Sequence, residues 1–210
     1  PVAMSTPIAR DAALLDLLVH AGRLKRVKRA GWVQRGVREV ESVADHSFRV
    51  ALVALFMARA DADADVDADK CVRMALVHDL AECVVGDITP NDGVSDEDKH
   101  AMEAKAMGEL CALAGDKAGA DVEALWREYE AGETAEARLV KDMDKLEVIL
   151  QAQEYESEGD AGVNGNLEEF FASTRGRFKT ATGERWSAEI EARRPSTTTS
   201  CATSRSPPSP

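Results

Sequence analysis

Ala75-Leu76-Val77-His78-Asp79-Leu80-Ala81-Glu82 sets an imidazole and two carboxylates inside a run of small and apolar residues. Such a run belongs in a core, where ionisable groups persist only when paired, hydrogen-bonded or metal-bound. The apolar spacing predicts one helix from about Asp69 to Val85, with Val72, Leu76, Leu80 and Cys83 facing inward. On that helix Glu82 lies four residues after His78 and three after Asp79, so all three can converge on one pocket. Imidazole nitrogen and carboxylate oxygen suit a borderline divalent metal, and a neighbouring Glu outside the coordination sphere can handle the proton of an activated water. A core histidine held by a local hydrogen bond would explain His78 alone, but not the group.

A second histidine extends the set. The chain has four, and His46 stands in Glu41-Ser42-Val43-Ala44-Asp45-His46-Ser47, at the head of an apolar helix that continues through Phe48, Leu52, Leu55 and Phe56 to about Arg59. A fourth ligand is expected from the long late helix, about Thr134 to Glu156, where Lys141-Asp142-Met143-Asp144-Lys145-Leu146 offers two carboxylates. Two positions on a helix are separated by about 200°, so only one of the pair can point at a given metal. The apolar face of Leu139, Met143, Leu146 and Leu150 lies nearer Asp142, and periodicity alone leaves the choice open.

Val-Ala-Asp-His46, Val-His78-Asp79-Leu-Ala-Glu82, Gly86-Asp87-Ile-Thr-Pro and Val140-Lys-Asp-Met-Asp144-Lys-Leu, in this order, resemble the HD-domain superfamily. The likeness covers roughly residues 14–178 and is greatest to the 5′-deoxynucleotidase branch and its eukaryotic members. It implies an all-α helical bundle and hydrolysis of 5′-deoxynucleoside monophosphates to deoxynucleoside and phosphate. It further implies one divalent ion (cobalt, manganese, magnesium or another first-row metal) held by His46, His78, Asp79 and Asp144, with Asp142 displaced outward. By the same resemblance Glu82 and Asp87 are catalytic, Glu82 handling the proton and Asp87 standing near the leaving oxygen. Phosphoryl transfer is mostly positioning and charge stabilisation, so one cation and one acid/base group can suffice.

Leu17 to Arg38 contains no acidic residue and seven basic ones: Arg23, Lys25, Arg26, Lys28, Arg29, Arg35 and Arg38. In a chain of net charge −12 this island is a candidate anion site or, more plainly, a solvated basic helix end and loop. The resemblance places an Arg for phosphate and a Trp against the sugar ahead of the first histidine, and Arg29 and Trp32 fit best. Bacterial members have the two adjacent. Here Ala30 and Gly31 intervene, which leaves Arg26 as an alternative to Arg29.

Composition bounds the rest. At 210 residues the chain suits one domain, read as 1–194, followed by a Ser/Thr/Pro-rich stretch, 195–210, with almost nothing to bury and expected to be disordered. Abundant Ala, Leu, Glu and Arg with 5% aromatics favours helix, and about six to eight helices are expected. One runs from about Pro7 to Leu24, others from Ser95 and near Val122–Glu130, and another carries Leu167, Phe170, Phe171, Thr174 and Phe178. Gly31 and Gly36 mark an intervening loop. Asp61 to Asp69 alternates like the start of a calcium loop but lacks its Gly and late Glu, and reads as a turn that caps the next helix. The acidic balance argues against nucleic acid or anionic membrane as partners. No apolar run of about 18 residues or secretory pattern stands out. The four cysteines, without a close pair, suit a reducing compartment such as the cytoplasm. Excess apolar helix surface, with the resemblance, implies a homodimer. Competing readings are an HD hydrolase of another nucleotide phosphoester and a non-catalytic, metal-stabilised helical binding module; the latter has no need of Glu82.

Overall fold

The computed structural model describes residues 6–60 and 66–194. The 195–210 stretch and most of the Asp61–Asp69 alternation lie outside them. Ten α-helices occur among the described residues: α1 Pro7–Ala21, α2 Ala30–Arg35, α3 Val43–Ala60, α4 Ala68–Val77, α5 Glu82–Val85, α6 Asp96–Ala114, α7 Asp116–Ala131, α8 Ala135–Glu158, α9 Glu168–Thr174 and α10 Ala181–Ala192. The architecture is all-α, and its only β feature among these residues is one antiparallel bridge between Lys28 and Ser42.

Local chemistry starts and stops these helices. The side chains of Thr6, Asp67, Ser95, Thr134 and Thr180 each accept a backbone N–H from the first turn that follows, which satisfies donors the helix itself leaves unpaired. Gly115 separates α6 from α7 with φ 83°, a conformation costly for other residues. A Cβ on Gly119 would lie 2.2 Å from the Cys111 carbonyl oxygen, so glycine there lets α7 close on α6. α7 starts six residues earlier than the apolar pattern near Val122 indicates.

α8 is the axis of the molecule. It packs against α3, α4 and α7 and also against α9 and α10. Ala137, Leu139, Val140, Met143, Leu146, Ile149, Ala152 and Tyr155 are buried, almost all the way round. The main core joins α8 to Val50, Ala54 and Met57 of α3, Met74 of α4 and Phe171 of α9. A second cluster gathers Leu24, Val43, Ala81, Met107, Leu110 and Trp126. His46 follows the second cluster's Val43 by three residues and precedes the main core's Val50 by four, so the site residues stand where the two cores meet.

Several expectations are corrected. The helix expected over Asp69–Val85 is broken: α4 ends at Val77, a turn occupies 78–81, and α5 follows. The cause is local, because the His78 ring Nδ1 lies 2.7 Å from the Ala75 carbonyl oxygen and claims an acceptor the helix would use. Leu76, expected inside, is half exposed. Residues Ala30–Arg35, between the two glycines read as a loop, form α2. The late aromatic helix stops at Thr174, and α10 follows it.

Candidate metal centre and active site

The bridge between Lys28 and Ser42 decides where the basic segment goes. The Arg29 N–H donates to the Glu41 carbonyl and the Val43 N–H to the Val27 carbonyl, which ties the chain ahead of α2 to the entry of α3. Arg29 thereby lies beside His46, four residues after Ser42. Of the seven basic residues of the island, only Arg29 lines the cavity beside the histidines. Arg35 pairs with Glu169 and Arg38 with Asp160, while Arg26 is exposed.

His46, His78 and Asp79 meet at one point, and Asp144 joins them through His46. His46 Nε2 lies 3.3 Å from His78 Nε2, 3.2 Å from Asp144 Oδ1 and 3.5 Å from Asp79 Oδ2. His78 Nε2 lies 3.2 Å from the same Asp79 oxygen. Both rings are buried. Each is held from behind: Nδ1 of His46 is 2.5 Å from Glu147 Oε2, and Nδ1 of His78 faces the Ala75 carbonyl. With Nδ1 donating in both rings, the two Nε2 lone pairs face one another beside two carboxylates, an arrangement that calls for a cation. Ligands about 2.0–2.2 Å from one ion are separated from each other by roughly 3–3.5 Å, the spacing found among His46, His78 and Asp79 and between His46 and Asp144. The donor set therefore fits a divalent metal.

The electrostatics agree. Burial would raise the carboxyls of Asp79 and Asp144, but the two imidazoles and the Arg29 guanidinium outweigh it and hold both well below the usual carboxylate range. Burial and the Arg29 charge push His46 down, yet the Asp144 and Glu147 carboxylates raise it to about 10. In the metal-free protein a proton thus stands where a cation would.

Asp142 is not displaced outward. It is fully buried, and its Oδ2 accepts the backbone N–H groups of Lys179 and Thr180 and the Thr180 hydroxyl, each within 2.9 Å. The carboxylate anchors the start of α10, and a Cβ on Gly183 would lie 2.6 Å from that oxygen. Asp144, on the opposite side, faces His46 and accepts the Tyr129 hydroxyl at 2.9 Å.

The cavity beside these groups measures about 340 Å³, within the range that small-molecule sites occupy. Arg29, His78, Asp79, Glu82, Asp87, Tyr129 and Asp144 line it, with Lys99 and Lys141 as further cations and Phe170 as an apolar wall. Glu82 is 4% exposed, and its Oε2 is buried without a hydrogen-bond partner. Burial first, then the charges of Asp79 and Asp87, push its carboxyl well above the ordinary value. Asp87 Oδ2 accepts the Ala30 N–H at 2.7 Å and lies 3.8 Å from Arg29 Nη1, which is also 3.5 Å from Asp79 Oδ2. Trp32 borders the cavity but is only 2% exposed. Its ring lies 4.1 Å from that of Phe170, and its Nε1–H donates to Glu41 at 2.8 Å.

Sequence reasoning missed Tyr129, Glu147, Lys141 and Phe170. Glu147 had a signal, since it follows Asp144 by three residues and shares its helix face; Tyr129 and Phe170 had none, because only packing brings α7 and α9 to the site.

Burial and the nearby Glu147 carboxylate push Glu41 up to about 7. A carboxyl raised on folding contributes stability that is fully present below its unfolded value and lost as pH rises through the folded one. Glu41→Gln removes this titration. Measured by chemical denaturation with a chelator present, the variant should gain on the wild type between about pH 4.5 and pH 7 and keep a constant margin above that. A margin independent of pH would contradict the assignment.

The chain matches the HD domain family over residues 21–186. It is 45% identical over 195 residues to the 5′-deoxynucleotidase HDDC2 of Bos taurus, a match that spans 92% of this chain and 91% of that one. Identity to the Homo sapiens HDDC2 of the same description is 42% over 182 residues, spanning 87% and 86%. Among solved structures, a predicted metal-dependent phosphohydrolase from Magnetospirillum magnetotacticum superposes with a TM-score of 0.68 at 31% identity, covering 88% of this chain and 93% of that one. A conserved hypothetical protein from Pyrococcus furiosus gives 0.70 at 35%, covering 86% and 98%.

Proposed function

The chain belongs to the HD domain family, and from that membership we propose that it hydrolyses 5′-deoxynucleoside monophosphates to deoxynucleoside and phosphate with one divalent metal ion. The observation that carries the reading is the meeting of His46, His78 and Asp79, with Asp144 against His46, beside a cavity that also holds Glu82 and Arg29. These four residues are proposed as the ligands. When bound, the ion supplies Lewis-acid charge at the phosphoryl oxygens and eases deprotonation of the attacking water.

The remaining residues divide the work. Glu82, with an unpartnered oxygen facing a site rich in carboxylates, is the group proposed to take the water's proton at Oε2. Attack of the water oxygen on phosphorus breaks the bond to the 5′ oxygen, which leaves with the proton that Glu82 took up. Asp87 is proposed to serve the leaving oxygen; through Ala30 N–H it also fixes the turn that carries Arg29. Arg29 offers its guanidinium to the phosphate, in a position now held by Asp79 and Asp87. Trp32 and Phe170 form the apolar wall proposed for the nucleoside, with Trp32 fixing the ring of Phe170 more than touching the sugar itself.

Residues 1–194 are proposed as the catalytic unit. A homodimer is proposed because Leu15, Leu18 and Val19 of α1 and Phe48 and Phe56 of α3 are exposed; a monomer at micromolar concentration in light scattering would refute it. A cytoplasmic location is proposed from the thiols: Cys71, Cys83 and Cys111 are free and buried. Among the described residues, no helix is long and apolar enough to cross a membrane.

Phosphate release from a panel of deoxy and ribo nucleoside 5′-monophosphates, with several divalent metals, tests the reading. Release from none of them, with nucleoside triphosphates or cyclic dinucleotides cleaved instead, would favour the other-phosphoester alternative. Metal uptake without any hydrolysis would favour a binding module. In the same assay Arg29→Ala should raise KM and lower kcat/KM. Arg29→Lys should recover little, because a point charge lacks the planar fork that reaches phosphate and both carboxylates. Full recovery by lysine would show that Arg29 supplies charge alone.

A further inference from the structure

α3 and α8 face each other with two residues apiece at a spacing of three: His46 and Arg49 on one, Asp144 and Glu147 on the other. The His46 ring is gripped at both nitrogens by carboxylates of a single helix, Asp144 on the Nε2 side and Glu147 on the Nδ1 side. Glu147 is fully buried, and both of its oxygens are used. Oε2 meets His46 Nδ1 at 2.5 Å, and Oε1 accepts from Arg49 Nε at 2.8 Å with Arg49 Nη2 2.7 Å away. Arg49 is fixed in turn by Gln151 and Glu154, each at 2.6 Å and each one further turn along α8.

We propose that Glu147, braced by Arg49, is a positioning residue that holds His46 with its Nε2 lone pair toward the metal. The proposal rests on the metal reading of the site. Its physical content is that the carboxylate obliges Nδ1 to carry the proton, which leaves Nε2 free as the ligand atom and fixes the plane of the ring. The 2.5 Å separation on the Nδ1 side is a hydrogen-bond distance, too short to seat an ion between nitrogen and oxygen. The 3.2–3.5 Å spacings on the Nε2 side suit one. A carboxylate is also the side chain that can accept on both oxygens at once. An amide has one acceptor: in Glu147→Gln, if the amide gave its oxygen to Arg49, its NH2 would face the ring and favour the proton on Nε2.

The test uses the full chain, titrated with Co²⁺ by calorimetry, for wild type, Glu147→Gln and Glu147→Asp. Both variants should bind Co²⁺ about 10–100-fold more weakly, the range expected when a residue behind a ligand is lost. In the Zn²⁺-loaded wild type, the His46 Nδ1–H should give a far-downfield, exchange-protected proton resonance that Glu147→Gln lacks. A residue that merely staples α3 to α8 would lower the melting temperature of the metal-free protein yet leave the affinity of the folded variant unchanged. Should Glu147→Gln not fold, Glu147→Asp retains the charge beside Arg49 but is one methylene short of reaching both partners, and the same loss of affinity is expected. Co²⁺ affinity within about threefold of wild type in whichever variants fold would overturn the proposal. A wild type that takes up no metal would overturn the metal reading itself, a distinguishable failure.

Discussion

Replacing His78 with alanine is expected to strip the chain of its metal and take turnover to background. The loss should exceed the roughly 10–100-fold typical of residues behind a ligand, because one of two imidazole donors disappears and the Asp79 oxygen 3.2 Å from it loses a neighbour. Dialysed wild type should carry about one divalent ion per chain by elemental analysis, and His78→Ala should carry almost none. Full stoichiometric metal in His78→Ala would sink the assignment of ligands. The pH dependence has a definite sign. His46 is raised to about 10 in the metal-free protein, so the ion must displace a proton even in mildly alkaline solution. Apparent affinity should therefore fall with falling pH, by roughly tenfold per unit for each proton displaced.

Glu82→Gln should leave fold and metal intact while it lowers kcat by roughly 10²–10⁴, the usual scale of general acid–base catalysis. The side chain keeps its shape in the cavity but no longer takes a proton. Stability separates chemistry from damage. Burial and the charges of Asp79 and Asp87 raise this carboxyl above its unfolded value, so its contribution to stability is present at low pH and lost as pH rises. In the metal-free state near neutral pH, the glutamine variant should consequently be at least as stable as wild type. Metal stoichiometry, the thermal midpoint and kcat measured on one preparation check the three parts together. Near-normal turnover would transfer the role to Asp87, which lines the same cavity.

The relation between sequence and site differs from residue to residue. His78, Asp79 and Glu82 were legible because ionisable groups in an Ala, Leu and Val run must be compensated inside the protein, and that inference holds whatever the backbone does. The helix invoked to bring them together does not continue through 78–81, yet the turn and the start of α5 still place all three on one cavity. From charge alone Arg29 was legible only as one of seven basic residues, and the resemblance narrowed the choice to Arg29 or Arg26. The bridge between Lys28 and Ser42, which selects it, is a long-range pairing that no local pattern announces. Trp32, expected at the substrate, borders the cavity from within the core, and its partly buried neighbour Phe170 arrives from α9.

Asp142 and Asp144 mark the boundary most sharply. By itself the sequence determined an all-α chain, a long helix at Thr134–Glu156 and the fact that two carboxylates on it point about 200° apart. Periodicity can tell an inner face from an outer one only when a helix has both. α8 packs against α3 and α4 and also against α9 and α10, so both aspartates meet protein and the apolar pattern does not decide between them. Tertiary structure decided between them through their partners. Asp142 met the unpaired N–H groups at the start of α10, and Asp144 met the imidazole of His46, because a buried carboxylate goes where donors or a cation compensate its charge.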